Sequence, residues 1–237
     1  MAALASVTDT ARRTAYYRAL ESERPDAIFQ DPYTRQLAGK RGEDVVRGVP
    51  RARASAWGIV TRTTVRESAR PAGSNPSAWI CEITRNGALF ARMNRAAEQV
   101  LVVSEGYLLY LSADAVAAIA RDLHMCDTFS CWITDVTSPL LLRMHQVFSK
   151  PIQRSASPMR FAPSDNQAFF EPCGWNVRRL RPLALEGQRP HRQPPFAPLL
   201  WAGRSFLSAK WRAAFRDSRE VLHLNRSEEP GPTSARR

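Results

Sequence analysis

The sequence predicts an α/β fold with a parallel sheet, preceded by a helical segment. Residues 100–103 and 129–135 are apolar runs rich in β-branched and aromatic side chains, as in strands buried on both faces of a parallel sheet. A segment with helical periodicity follows each run, which indicates strand–helix–strand units. Residues 1–66 contain helix patterns but no strand pattern, so we expect them to form a helical cap.

The cap is predicted from helix start and stop signals as well as from periodicity. In the first helix, residues 8–24, alanines recur at helical spacing until a proline ends the pattern. The second helix has Asp31 as its N-cap, Pro32 at its first position and Gly39 beyond its last turn. A third amphipathic helix is predicted at residues 51–65.

The composition changes in residues 67–98. Residues 69–77 hold two prolines and a glycine without periodicity, which indicates a linker. The remaining pattern supports a short strand at 79–83 and a helix at 88–97. We therefore interpret 67–98 as a linker that carries a small structured part.

Residues 99–226 are predicted to form the α/β core, and the polar residues 227–237 a disordered tail. Beyond the two central strands, the core is predicted to contain helices at 112–124, 140–148, 164–170 and 205–215, and strands at 175–180 and 220–224. Five prolines indicate that residues 182–198 form an irregular crossing. The periodicity leaves open whether the last strand returns antiparallel.

The chain carries a formal net charge of +12, and all but three of its 34 basic residues are arginine. A nucleic-acid-binding surface would gather such residues on one face or in one tract. Here they are dispersed along the chain, with no basic run longer than two residues. This dispersion is typical of a compositional preference for arginine, so a nucleic acid is not an expected partner.

Several other classes of protein are not expected. The chain has no apolar run of about 18 residues and no apolar region near its N-terminus, so neither a membrane span nor a secretory signal is predicted. Its four cysteines form no Cys-x-x-Cys pair, so a cytoplasmic protein without disulfides is the default. His124, Cys126 and Cys131 could suggest a metal site, but no fourth ligand lies at a recognised spacing, and a structural role is favoured.

An acidic residue lies at the carboxyl end of each central strand. Glu105 follows the first strand, and Asp135 ends the second. Ligands of doubly wound sheets bind outside the carboxyl ends of the strands, so both carboxylates are candidate site residues. The alternative is that Ser104 and Glu105 only end a strand at its turn into a helix. No sequence pattern for Ser-His-Asp catalysis accompanies them.

Several stretches of the chain resemble, in the same order, one known family. They include Val102-Val103-Ser104-Glu105-Gly106, Trp132-Ile133-Thr134-Asp135 and Phe169-Phe170-Glu171-Pro172. The other matching stretches are residues 9–11, 17–22, 24–33, 61–63, 110–112 and 174–175. Together they resemble bacterial S-adenosylmethionine-dependent methyltransferases related to the leucine carboxyl methyltransferases, over most of residues 1–66 and 88–225.

This resemblance implies a Rossmann-like class I methyltransferase fold, with S-adenosylmethionine as cofactor and a small molecule as methyl acceptor. By position, Arg62 matches the basic residue that holds the carboxylate of the cofactor's methionine part. Glu105, with Gly106 beside it, matches the acidic residue next to the cofactor and the acceptor. Asp135 matches the polar end of the family's fifth strand.

Tyr107 and Tyr110 are candidates for lining the acceptor pocket, although packing beneath the cap would explain them equally well. Methyl transfer depends mostly on how the reactants are positioned, and an ionised carboxylate acceptor would need no general base. No catalytic residue is therefore assigned.

The chain also departs from the family. It lacks the glycine-rich turn Gly-x-Gly-x-Asp-Thr-Arg, the acidic residue that ends the second strand, and an Asp-Leu pair ahead of the fourth strand. Residues 67–98 cannot hold three βα units, since each unit needs roughly 30 residues. We therefore expect a shortened fold in which the early strands are largely absent and 67–98 is a remnant of the cofactor-binding half.

The expected function is O-methyl or carboxyl-methyl transfer to a small acceptor, with impaired activity. Activity is expected to be impaired because the missing turn and carboxylate are the groups that approach the cofactor most closely. The alternative is a non-catalytic remnant or interaction module that does not bind the cofactor.

Overall fold

The structure is a computed structural model that describes residues 7–48, 52–68, 87–148, 158–188, 192 and 208–227. The described residues form an α/β structure in which helices pack against a mixed four-stranded sheet. This confirms the α/β class predicted from the alternation of strand and helix patterns. The linker predicted at 69–77, the strand at 79–83 and most of the tail at 227–237 lie outside the described residues.

Three of the described helices belong to the N-terminal segment: α1 (Val7–Ser22), α2 (Thr34–Arg47) and α3 (Ala52–Ser68). The strands are β1 (Val100–Ser104), β2 (Phe129–Thr137), β3 (Trp175–Pro182) and β4 (Arg219–Arg226). The other helices are α4 (Gly87–Ala96), α5 (Ala113–His124), α6 (Pro139–Phe148), α7 (Asn166–Phe170), α8 (Leu183–Glu186) and α9 (Ala209–Arg216). Short 3-10 turns at Leu108–Tyr110 and Glu171–Cys173 follow β1 and α7.

Helix α2 differs from its prediction at its start and in a second stretch that follows Gly39. It begins at Thr34 rather than at Pro32, and it continues past Gly39 to Arg47. Gly39 itself is not helical and has a φ of 55°, so the first helical stretch stops there as predicted, and a second stretch follows the kink. Val46, beyond the kink, is buried in the cap, and this burial explains why the chain resumes its helix.

The strand order in the sheet is β1-β2-β4-β3. The first two strands are parallel neighbours, and Ser104 pairs with Thr134 near their carboxyl ends. Strand β4 returns antiparallel and lies between β2 and β3, so parallel pairing is limited to β1 and β2. Helix α8 forms within residues 182–198, which were predicted to be irregular.

The main core lies between one face of the sheet and helices α4, α5 and α7. Its centre consists of large buried aromatic side chains, namely Phe129, Trp132, Phe170 and Trp175. The Trp132 ring meets the rings of Phe170 and Trp175 edge to face, at centroid distances of 5.5 and 5.6 Å. These aromatic residues therefore form the core of the sheet and not a ligand-binding surface.

Two smaller apolar clusters explain how the cap is attached. Within the cap, Tyr17 and Ile59 are buried where α1, α2 and α3 meet. On the sheet face opposite the main core, Val65 of α3 packs with Ile133 of β2 and Val221 of β4. Because α3 belongs to both clusters, it holds the cap against the sheet and carries polar residues to the ends of β1 and β2.

Candidate functional site

Three of the predicted site residues converge where α3 crosses the ends of β1 and β2. The Nε atom of Arg62 donates a hydrogen bond to Glu105 Oε1 at 3.1 Å. Its Nη1 atom donates to Asp135 Oδ2 at 3.0 Å. Arg62 and Asp135 are buried and Glu105 nearly so. Residues far apart in the sequence therefore form one buried ionic group.

The local structure explains this convergence. Strands β1 and β2 run parallel, so the residues that follow them emerge at the same edge of the sheet. Arg62 lies one turn before Val65 on α3, and residues at this spacing share a helix face. Because Val65 packs on the sheet, Arg62 is directed toward the strand ends.

Glu105 accepts hydrogen bonds from four side chains. Besides Arg62, Thr63 donates to Oε1 at 3.3 Å. The other oxygen, Oε2, accepts from Arg66 at 2.9 Å and from Arg18 of α1 at 3.4 Å. Both carboxylate oxygens are thus occupied by groups of the protein itself.

The charges in this cluster stabilise one another. Burial alone would raise the pKa of Glu105, but the positive charges of Arg62, Arg66 and Arg18 outweigh burial and lower it. Burial likewise opposes the charge of Arg62, yet Asp135 and Glu105 raise its pKa overall. The charged forms of Glu105 and Arg62 are therefore both favoured in the folded chain.

Gly106 completes the cluster through its backbone. It has a φ of 64°, and its N–H donates a short hydrogen bond to Asp135 Oδ1. A Cβ atom at this position would lie 3.0 Å from Nη1 of Arg62, closer than ordinary van der Waals contact. The glycine is needed here for both its backbone conformation and its small size. The Arg62 guanidinium occupies the space that a side chain at position 106 would fill.

Ser104 has a structural role at the end of β1. Its hydroxyl donates to Thr134 Oγ1 at 2.7 Å and accepts from Trp132 Nε1 at 3.0 Å. All three groups are buried, so these bonds satisfy polar atoms within the sheet. Ser104 therefore agrees with the structural alternative, whereas Glu105 takes part in the ionic cluster.

The two tyrosines lie in different surroundings. Tyr107 is partly buried and packs against the main core, in agreement with the packing alternative. Tyr110 ends the 3-10 turn after β1, and its phenol is close enough to Arg219 to favour the charged form of that side chain. The structure thus places Tyr110 near Arg219.

Arg18, Thr63 and Arg66 belong to the cluster but were not predicted as site residues. The spacing of Arg62 and Arg66, one helical turn apart, is a signal that could have identified Arg66. No local signal identifies Arg18, because a sequence pattern does not show which face of α1 meets β1.

S-adenosylmethionine does not fit the described residues as they stand. The methionine carboxylate would have to displace Asp135 or Glu105 from Arg62, and a hydroxyl or amine donor would have to displace an arginine from Glu105. Each displacement breaks a charge-assisted hydrogen bond in a buried setting. The sequence also contains no glycine-rich turn that would bring the backbone up to the cofactor.

The described residues show neither a metal-binding cluster nor a membrane-spanning helix. Within these ranges, no three His, Cys, Asp or Glu side chains are grouped so as to hold a metal ion. No helix in the same part of the chain combines the length and apolar character needed to cross a bilayer. Cys126, Cys131 and Cys173 are free thiols, and burial raises the pKa of each.

No protein-family model matches the chain, and no curated protein matches it.

Proposed function

We propose that this chain descends from S-adenosylmethionine-dependent methyltransferases related to the leucine carboxyl methyltransferases, and that it retains the half of their fold that faces the methyl acceptor. The observation that carries this proposal is the meeting of Arg62, Glu105 and Asp135 at the carboxyl ends of two parallel strands, beneath helices of the cap. Ligands of doubly wound sheets bind at this place.

The strand order supports a shortened class I methyltransferase fold. In that fold, the last strand runs antiparallel and is inserted between the two strands that precede it. Here β4 is antiparallel and lies between β2 and β3. Strands β1 and β2 then correspond to the fourth and fifth strands of the complete sheet, and β1 is the edge at which the missing early strands would attach.

We further propose that methyl transfer is impaired in this chain because the site is closed by its own ion pairs. Arg62, Arg66, Arg18 and Thr63 already provide Glu105 with its hydrogen bonds. Each lost contact to a cofactor is worth about 0.5–1.5 kcal/mol, and those of the absent glycine-rich turn are lost as well. The chain is thus a methyltransferase relative that does not hold the cofactor.

The second candidate function is an active S-adenosylmethionine-dependent O-methyltransferase. The observation in its favour is the excess of cationic side chains around Glu105, since three arginines face this single glutamate. In this case, the acceptor would be a small carboxylate or hydroxyl compound.

Calorimetric titration of the full chain with S-adenosylmethionine distinguishes the two functions. For the closed site, we expect no saturable heat up to about 1 mM, the concentration that corresponds to a binding free energy of about −4 kcal/mol. Micromolar binding that is lost in Glu105→Gln would overturn the closed site and support the active enzyme. The matched control is Glu21→Gln, since Glu21 is also buried and paired with an arginine, Arg192.

A further inference from the structure

Two arginines beside the ionic cluster have no hydrogen-bond acceptor among the described residues. Arg13 lies on α1, and Arg219 is the first residue of β4. In the part of the chain that the structure describes, no hydrogen bond or ion pair links either guanidinium to an acidic or carbonyl group. The Nε atom of Arg13 is fully buried without a hydrogen-bond partner. By contrast, Arg62 is paired twice.

Arg219 extends from the sheet to helix α3. A Cβ atom built on Gly58 would lie 3.6 Å from Nη1 of Arg219, so the guanidinium rests against this glycine. Gly58 lies one turn before Arg62 and on the same helix face. The unpaired guanidinium of Arg219 is therefore next to the paired guanidinium of Arg62.

The local charge around Arg219 is not balanced by the described residues. Burial lowers the pKa of Arg219, and the positive charges of Arg62 and Arg13 lower it further. Asp135 is the acidic group nearby that opposes this effect, but both of its oxygens already accept hydrogen bonds, from Arg62 and from the N–H of Gly106. Arg219 is partly buried beside these cations and has no ion pair among the described residues, so a bound anion would offset the repulsion between the positive charges.

A third donor lies beside Arg13. Tyr17 is 1% exposed, and its hydroxyl is buried with no hydrogen-bond partner. Burial raises the pKa of Tyr17, while the adjacent charge of Arg13 opposes that rise. Nearly all buried hydroxyl groups are hydrogen-bonded in native proteins, so an unpaired one beside the buried and unpaired Nε atom of Arg13 indicates a missing acceptor.

We propose that the junction of α1, α3 and β4 binds an oxyanion, a phosphate or a carboxylate group of a small molecule, through Arg13 and Arg219 with the Tyr17 hydroxyl as a further donor. Guanidinium groups suit such ligands because their planar N–H donors match two oxygens at once. The site uses none of the groups that bind Glu105, and it therefore does not depend on the proposed function.

The test is a calorimetric titration of the full chain with inorganic phosphate and, separately, with succinate, at an ionic strength held constant with sodium chloride. We expect saturable binding of at least one anion. Arg13→Gln and Arg219→Gln should each weaken it by at least about tenfold, because each removes a charged hydrogen-bond donor. The matched control is Arg12→Gln, since Arg12 is exposed on the same helix.

The outcomes are distinct. Tighter binding of phosphate indicates a phosphate-bearing ligand, and tighter binding of succinate indicates a carboxylate-bearing one. The proposal is overturned if the wild-type chain binds neither phosphate nor succinate saturably up to about 10 mM. This holds for any affinities measured with the variants. Equal affinities for Arg12→Gln and Arg219→Gln also overturn it. Arg219→Lys, which keeps the charge but not the planar pair of donors, should bind with an intermediate affinity.

Discussion

Glu220, near the start of β4, is a buried acid outside the ionic cluster, with 7% of its surface exposed. Burial and the negative charge of Asp217 raise its pKa to about 7, although a hydrogen bond from Asn166 and the charge of Arg216 oppose the rise. The Nδ2 atom of Asn166 donates to Oε2 of Glu220 at 3.1 Å. Glu220 therefore changes its charge near neutral pH, unlike Glu105.

At the scale of this residue, we predict a pH-dependent loss of stability. The pKa of Glu220 in the folded chain is about 7, above the value of about 4.3 for an unfolded glutamate. The folded state therefore keeps the proton on Glu220 up to a higher pH than the unfolded state does. Stability from this group is fully present below about pH 4.3 and is lost as the pH rises through about 7, by an amount on the order of 4 kcal/mol. Glu220→Gln should abolish this loss.

Urea unfolding of the wild-type and variant chains at about pH 5 and pH 8 measures the difference. The control is Glu98→Gln, because Glu98 is exposed. If Glu220→Gln loses as much stability as the wild-type chain between these pH values, the assignment to Glu220 is wrong.

At the scale of elements, the turn before β3 sets how this strand packs on α5. Gly174 has a φ of 88°, and a Cβ atom there would lie only 2.3 Å from Cδ2 of His124. The next residue, Trp175, donates from Nε1 to the carbonyl of Ala120 at 2.8 Å. The close approach of the turn to His124 thus allows the Trp175 ring to reach α5.

We predict that Gly174→Ala destabilises the protein in two separable ways. The left-handed backbone conformation costs about 1–2 kcal/mol for alanine, and the clash with His124 adds roughly 1–3 kcal/mol. A double-mutant cycle with His124→Ala separates the two, because the smaller side chain removes only the clash. Equal costs of Gly174→Ala in both backgrounds would show that His124 is not the obstacle.

At the scale of the whole molecule, the cap and the sheet have separate apolar cores that are joined by α3. Val65 is 1% exposed in the cluster that makes this junction, whereas Val103 of β1 is 40% exposed. We predict that Val65→Ala costs about 1–3 kcal/mol, because it removes buried methyl groups and leaves a cavity.

Val103→Ala serves as the matched control and should change stability by less than about 0.5 kcal/mol. Urea unfolding of both variants provides the comparison. If the two costs are equal, the cluster around Val65 does not hold the cap against the sheet.

The elements with strong local signals could be predicted closely. The helix expected at 112–124 is α5 (Ala113–His124), with Ser112 as its cap, and the strand expected at 129–135 is β2 (Phe129–Thr137). Gly39 leaves the helical conformation as its stop signal predicts, but a second helical stretch up to Arg47, with Val46 buried in the cap, follows it and was not predicted. Local signals therefore decided the elements, except where tertiary packing added to them.

The sequence patterns predicted the α/β class, most of the elements, and Glu105 and Asp135 as candidate site residues, and the family resemblance added Arg62. The packing of the elements shows that β4 lies antiparallel between β2 and β3 and that Arg18 and Arg66 pair with Glu105. It also shows that Arg13 and Arg219 have no acceptor among the described residues. The reason is physical. Periodicity shows which residues share one face of an element, but the partner of a charged side chain depends on which faces meet when the elements pack.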